Sequence, residues 1–307
     1  MSVKGVWRQE GEISMACHVW LVGSDPRLAG ELQGWLEAAG FSAERLSHAE
    51  ALARLGTPRP RVDRVVLDGG SHSGSLELLP LFRAAGVPVT LLLEAEDLLA
   101  VELGLQRGVA GFLIKPFGPR ALEAALAMPT AELSAPSGGY FPFRTLEDVT
   151  GLSQLVAGLC PESEMVQIAL SELMLNAVEH GNLGLGFVRK GELMSCGAWR
   201  NEVERLLEQP QHQSRFAFLR VECRPREIRF LIRDQGDGFN PEPYLHLNPL
   251  RSVEPHGRGI AIARMLAFPD LVFLDGGRCV EGVVRREAQL NLAARPPDAR
   301  RAVARLP

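Results

Sequence analysis

Two groups of residues in this chain have types and spacings that could do chemistry. Glu172, Asn176 and His180 recur every four residues, which lines them up on one face of a helix. Leu170, Leu173 and Ala177 can then turn toward a core. Further on, Asp234-Gln-Gly236-Asp-Gly238-Phe239 sets a carboxylate at the end of an apolar run, followed by alternating glycines. The acid can accept a hydrogen bond from the amino group of a nucleotide base, and the glycines let the backbone approach its ring. About twenty residues later His256-Gly257-Arg258-Gly259-Ile260 opens a helix, whose free amides and positive dipole end suit an anion. Singly these are an exposed stripe, a loop and a helix start. Together and in this order they describe a site for a nucleotide base and an anion. The second group is Asp68 after one apolar run and Lys115-Pro116 after another.

The elements that must position these residues fall into two patterns. From His18 to Met128 the chain reads as five repeats of strand then helix, a parallel sheet covered on both faces. The strands are His18 to Val22, Phe41 to Leu46, Arg64 to Leu67, Val87 to Leu93 and Gly111 to Ile114; the helices lie near 26–39, 48–55, 75–85, 96–107 and 118–127. Asp25 as N-cap and Pro26 at N1 announce the first helix. Such a doubly wound α/β sheet carries its sites at the carboxyl ends of the strands. Residues 129–141, rich in Pro, Ser, Ala and Gly, read as a linker. A second domain over 142–292 places helices first (146–158, 162–182, 192–208) and strands later (215–223, 227–233), then a helix near 258–266 and two strands. That order marks an α+β sandwich. Residues 1–17 read as an unstructured extension in which Met15 could be the start, and 293–307 as a disordered tail.

The first domain resembles a response-regulator receiver, on Asp68, Lys115-Pro116 and the five-repeat order. That resemblance implies that Asp68 would accept a phosphoryl group, with Lys115 pairing with it across a commonly cis Lys-Pro bond. The pattern is degenerate. Gly23 and Ser24 occupy the two acidic positions that would hold a divalent cation, and Asp25 is spent on the helix cap. The hydroxyl after the fourth strand is replaced, with Leu93 in its place and Thr90 three residues early. The expectation is a pseudo-receiver, an interaction or dimerisation module whose Asp68 is not efficiently phosphorylated. Acids restored at positions 23 and 24 should raise Mg²⁺ affinity.

The second domain resembles the GHKL ATPases, and among them the anti-sigma-factor serine kinases. The likeness implies that Asn176 ligates Mg²⁺ and that Asp234, with Gly236 and Gly238, receives the adenine of ATP. Gly257, Arg258 and Gly259 would hold the β and γ phosphates, and Glu172 would be the general base for a serine hydroxyl. Asn240 to Pro255 would form the lid, and His180 and His256 would be structural. The segment from about Gly191 to Gln209, with Trp199, departs from the smallest members; packing or partner contact is the only role read for it.

Composition narrows the rest. In 307 residues, 46% hydrophobic and 23% charged, with a net charge of -4, nothing general attracts nucleic acid or an anionic membrane. Five scattered cysteines offer no zinc or disulfide spacing, which fits a reducing cytoplasm. No apolar run approaches a membrane span. A sensor histidine kinase needs a dimeric helical hairpin, for which the linker is too short. The functions left are a serine kinase acting on an anti-anti-sigma-like antagonist in a partner-switching pathway, an ATP-binding adaptor that sequesters a partner without chemistry, and a two-domain scaffold. The resemblance also implies a possible homodimer, a sigma factor as a further partner, and a histidine kinase or other regulator at the receiver-like domain.

Overall fold

A computed structural model describes residues 17–57, 61–69, 74–128, 138–245 and 257–286. Strands β1 (His18–Val22), β2 (Ser42–Leu46), β3 (Arg64–Asp68), β4 (Val89–Leu93) and β5 (Gly111–Ile114) form a parallel array in the order β2-β1-β3-β4-β5. β4 is buried at all five positions, as a strand covered on both faces must be. Helices α1 (Pro26–Ala38), α2 (His48–Leu55), α3 (Leu79–Ala84), α4 (Leu98–Arg107) and α5 (Pro119–Leu126) alternate with the strands. Their starts follow local chemistry. Asp25 accepts from the Arg27 and Leu28 amides, Ser47 and Glu50 form a capping box, and Asp97 caps Ala100. The helix read as 75–85 divides into a 3₁₀ turn, Ser75–Leu78, and α3. Pro80 near the start of α3 lacks the amide that would continue the ladder backward.

Five further strands extend the same sheet: β6 (Gly138–Phe143), β7 (Ala217–Arg224), β8 (Glu227–Arg233), β9 (Val272–Leu274) and β10 (Cys279–Arg285), in the order β6-β7-β8-β10-β9. They carry α6 (Leu146–Ala157), α7 (Ser163–Asn176), α8 (Phe187–Ser195), α9 (Trp199–Leu207) and α10 (Gly259–Leu266). Two expectations are corrected. Residues 138–141, read as the end of a linker, are strand, because Tyr140, Phe141 and Phe143 are buried side chains and β6 pairs along its length with β7. The helix read as 192–208 is two helices. Gly197, at φ 71°, lets Ala198 donate back to Leu193 and ends α8. The rest of the linker (129–137), the N-terminal extension up to residue 16, and residues 287–307, which include the tail, lie outside the described residues.

The two domains meet edge to edge. Gly111 of β5 pairs in parallel with Tyr140 of β6, and the Tyr140 amide donates to Ala110 at 3.2 Å. Phe112 and Phe141 stack across the seam with centroids 4.5 Å apart and planes 9° apart. A Cβ on Gly139 would collide with the Phe112 ring. One apolar core runs from Leu91 and Phe112 through Phe141 and Phe143 to Leu170 and Phe230; a second, around Leu32, Leu113 and Leu122, fills the other face of the receiver sheet. Gly139→Val should therefore cost about 1–3 kcal/mol by overpacking and lower the melting of both domains together in scanning calorimetry. A shift confined to one transition would show that the seam does not couple them.

Candidate functional site

α7 supplies the first wall of a cavity of about 480 Å³, large enough for a cofactor-sized ligand. Leu170, Leu173 and Ala177 are buried, which turns Glu172 and Asn176 into the cavity. The helix does not run on as α to residue 182. From Ala177 to Asn182 it widens to a π turn, an element concentrated at functional sites. His180 still lines the cavity, with its Nδ1 bonded to the Leu185 carbonyl. The turn also buries Glu179 and Asn182, and Asn182 Oδ1 accepts from the Gln235 amide at 2.8 Å.

That bond fastens the loop after β8 onto the helix end. A Cβ on Gly181 would lie 2.6 Å from Asp234 Cβ, and one on Gly236 2.5 Å from the Gly181 carbonyl. Gly236 therefore supports Asp234 from behind, while Gly238 lines the cavity. Asp234 Oδ1 accepts from the Gly236 amide at 2.8 Å. Burial pushes its carboxyl up to about 6, against the pull of the Gly236 hydrogen bond and of Arg233 and Arg278. Gly238, at φ 80°, docks on a second glycine turn, Asp275–Gly277, where the Phe239 amide donates to Gly276 at 2.9 Å.

At the other end, Gly257 takes φ 84° ahead of α10, and no side chain caps that helix. Among the described residues the Ile262 amide is the first of this helix to find a carbonyl, that of Arg258, which leaves the earlier amides open to an anion. A Cβ on Gly259 would collide with Glu172 Oε2, so the carboxylate lies against this helix start. Burial raises the Glu172 carboxyl; nearby Lys190 opposes the rise and Glu179 adds to it. Neither the Glu172 nor the Asn176 side chain makes a hydrogen bond among the described residues, so both are available to a ligand. Glycine cradles at both ends, with a free amide oxygen between them, fit a nucleotide and a Mg²⁺ ion that keeps phosphate and water ligands. His256 and residues 246–255 of the expected lid lie outside the described residues. The lid's start is held by Tyr244 against Phe239 and Phe187.

Sequence reasoning missed Gly181, Asn182, Glu179, Lys190, Trp199 and Gly276-Gly277. The Gly181-Asn182 pair and the lone Trp199 were the available signals. The segment given no role beyond packing or partner contact supplies Met194 and Trp199 to the cavity wall, and the residues just before it add Phe187 and Lys190.

The receiver-like crevice is built differently. Lys115 Nζ bridges Asp68 Oδ1 at 2.7 Å and Glu94 Oε1 at 3.2 Å. Burial works to lower this lysine, but its two carboxylate partners raise it on balance. Lys115-Pro116 is cis. Asp25 is committed to the α1 amides, and the crevice between Gly23, Asp25 and Asp68 offers about 10 Å³, room for one water at most. Among the described residues no trio of His, Cys, Asp or Glu suits a metal. A small phosphodonor with Mg²⁺ should leave the intact mass unchanged; a stoichiometric phosphoryl adduct lost in Asp68→Asn would overturn this. The expectation that acids restored at both positions raise Mg²⁺ affinity is corrected for position 23. A Cβ there would stand 2.8 Å from Asp68 Cβ, so the new carboxylate displaces the one it should assist, and only position 24 is open to the change.

A sequence profile of the histidine kinase-like ATPase domain matches residues 151–280. Over 111 residues the chain is 27% identical to a protein of Cyanidium caldarium described as "Probable transcriptional regulator ycf27", covering 36% of this chain and 44% of that one. The chain thus spans less than half the length of that relative. Similar solved structures include a CheY-like receiver domain protein of Methanospirillum hungatei (19% identity, 38% of this chain and 96% of that one, TM-score 0.34). Another is a receiver protein of Burkholderia phymatum (25% identity, 39% and 98%, TM-score 0.34). No helix among the described residues is long and apolar enough to cross a membrane. The strand order β2-β1-β3-β4-β5 gives the chain a receiver-like fold in its first part, followed by a domain that matches the histidine kinase-like ATPase profile.

Proposed function

We propose that the second domain binds Mg·ATP and phosphorylates a serine on a small antagonist domain of the anti-anti-sigma kind, as part of a partner-switching pathway. The observation that carries this reading is Glu172. It lies one helical turn before Asn176 and against Gly259 at the start of α10, so a carboxylate stands where the phosphate end of the cavity opens. When bound, Mg·ATP supplies the γ-phosphoryl group. Asn176 offers an amide oxygen to the metal, Asp234 accepts from the adenine amino group, and Gly257 to Gly259 present backbone amides to the phosphates. Glu172 would take the proton of the attacking serine hydroxyl as its oxygen bonds to the γ phosphorus and the bond to the leaving ADP breaks. Its raised carboxyl brings it closer to the pH at which a base works best. Because the raised value keeps Glu172 protonated further up the pH scale, transfer should climb as pH rises through it. The acid limb should then lie above the ordinary carboxylate range.

The test is incubation of the full chain with labelled ATP and candidate small antagonist domains from the same cell. Label on a serine of one of them is the expected result. Binding of ATP and partner with no transfer at any pH would leave an adaptor that sequesters the partner under control of a pseudo-receiver. That second reading is favoured by one observation in the neighbouring domain: Gly23 and Ser24 stand where metal-holding acids are expected, and Asp25 beside them is committed to the α1 amides. A sigma factor, a regulator docked on the receiver and a second copy of the chain are further partners in this proposal.

A further inference from the structure

The wall of the cavity facing Glu172 and Asn176 is made by α8 and α9, and its polar centre is a buried triad. Glu179 is 0% exposed. Its Oε1 accepts from Trp199 Nε1 at 2.9 Å, and its Oε2 pairs with Lys190 Nζ at 2.6 Å. Phe187, one turn before Lys190, lies under Gly257, where a Cβ would fall 2.5 Å from its ring. The same helix therefore touches the phosphate-end loop and carries the ammonium. That ammonium has three donors; its contact with Glu179 is an ion pair, and it also acts on the Glu172 carboxylate.

Glu172, Glu179 and Asp234 all border the cavity, so a polyanionic ligand meets three carboxylates. The basic side chains lining it among the described residues are Lys190, Arg258 and Arg278, with His180. Arg278 is tied to Asp275 at 2.7 Å, next to Gly238 at the base end, and Arg258 is exposed. Lys190 is the mostly buried cation, its side chain 16% exposed, on the side of Glu172 and Asn176. A desolvated ammonium there attracts phosphate oxygens far more strongly than one in water.

We propose that Lys190 is a phosphate-binding residue of the nucleotide site, delivered by α8 and held in place by Glu179 and Trp199. This deepens the nucleotide reading above and rests on it. The test is calorimetric titration of the full chain with Mg·ATP and, separately, with adenosine, which shares the base contacts but has no phosphate. In Lys190→Met, ATP affinity should fall about tenfold or more, the effect of losing a charged hydrogen bond, while adenosine affinity stays within about twofold. Lys190→Met leaves Glu179 unpaired and buried, which endangers folding. Glu179→Gln/Lys190→Met removes both charges and should show the same selective loss, whereas Glu179→Gln alone keeps the ammonium and should keep the preference for ATP. Equal losses for ATP and adenosine, or no loss of ATP affinity in the folded double variant, would overturn the proposal and leave the nucleotide site standing. Failure of the wild-type chain to bind ATP would overturn both.

Discussion

Glu172→Ala should slow phosphoryl transfer about 100-fold or more, the range expected when a general base is removed, with ATP affinity held within a few-fold. Binding and chemistry separate because Glu172 is at one end of the cavity and Asp234 at the other, joined by α7 and its π turn. Truncation also removes a carboxylate from beside the α10 amides, so ATP affinity has reason to rise slightly and none to collapse. Single-turnover kinetics with the antagonist domain, beside calorimetry of ATP alone, measures both quantities. Equal transfer by wild type and variant would reduce Glu172 to a packing residue against Gly259.

Asp234→Asn should change binding and stability in opposite directions. In the proposed site the carboxylate accepts from the adenine amino group, and an amide in its place is half donor, so ATP binding should weaken by about 1–3 kcal/mol. Without ligand the same carboxylate is a burden on the fold. Its carboxyl is raised from an ordinary 3.8 to about 6, so its contribution to stability is complete below the unfolded value and is lost as pH rises through about 6. At neutral pH that loss is on the order of 3 kcal/mol, which asparagine avoids while still accepting from Gly236. The variant should melt higher than wild type at pH 7 and no higher near pH 4. In wild type, ATP affinity should decline as pH falls below about 6. A variant that melts lower at pH 7 would mean that the Asp234 charge is compensated more fully than its burial implies.

The strand-and-helix order of the first domain was legible because most of its parallel strands are short, largely apolar runs and α1, α2 and α4 start on side-chain caps. Glu172, Asn176 and Asp234 were legible because periodicity and alternating glycines act over a few residues. What escaped depends on contacts distant in sequence. β6 looked like linker, since Gly138 and Gly139 are turn formers by composition. They are strand here because Phe112 and the β7 side chains leave no room for anything larger. The π turn escaped because its cause is also remote: Asn182 is drawn to the Gln235 amide, fifty-three residues on. Glu179 and Lys190 carry no local signal of their own; what joins them is the fold, which sets Trp199 and Lys190 on the buried Glu179 carboxylate.

The shared sheet also limits how one half of the molecule can inform the other. A strand edge stripped of its neighbour presents open amides and carbonyls to any passing chain, and separating β5 from β6 would bare two such edges with Phe112 and Phe141 between them. Release of one domain from the other is thus a poor signal. A partner gripping the receiver end acts on a continuous twisted ribbon, and what can travel along it is torsion, felt at β8, where the chain turns into Asp234.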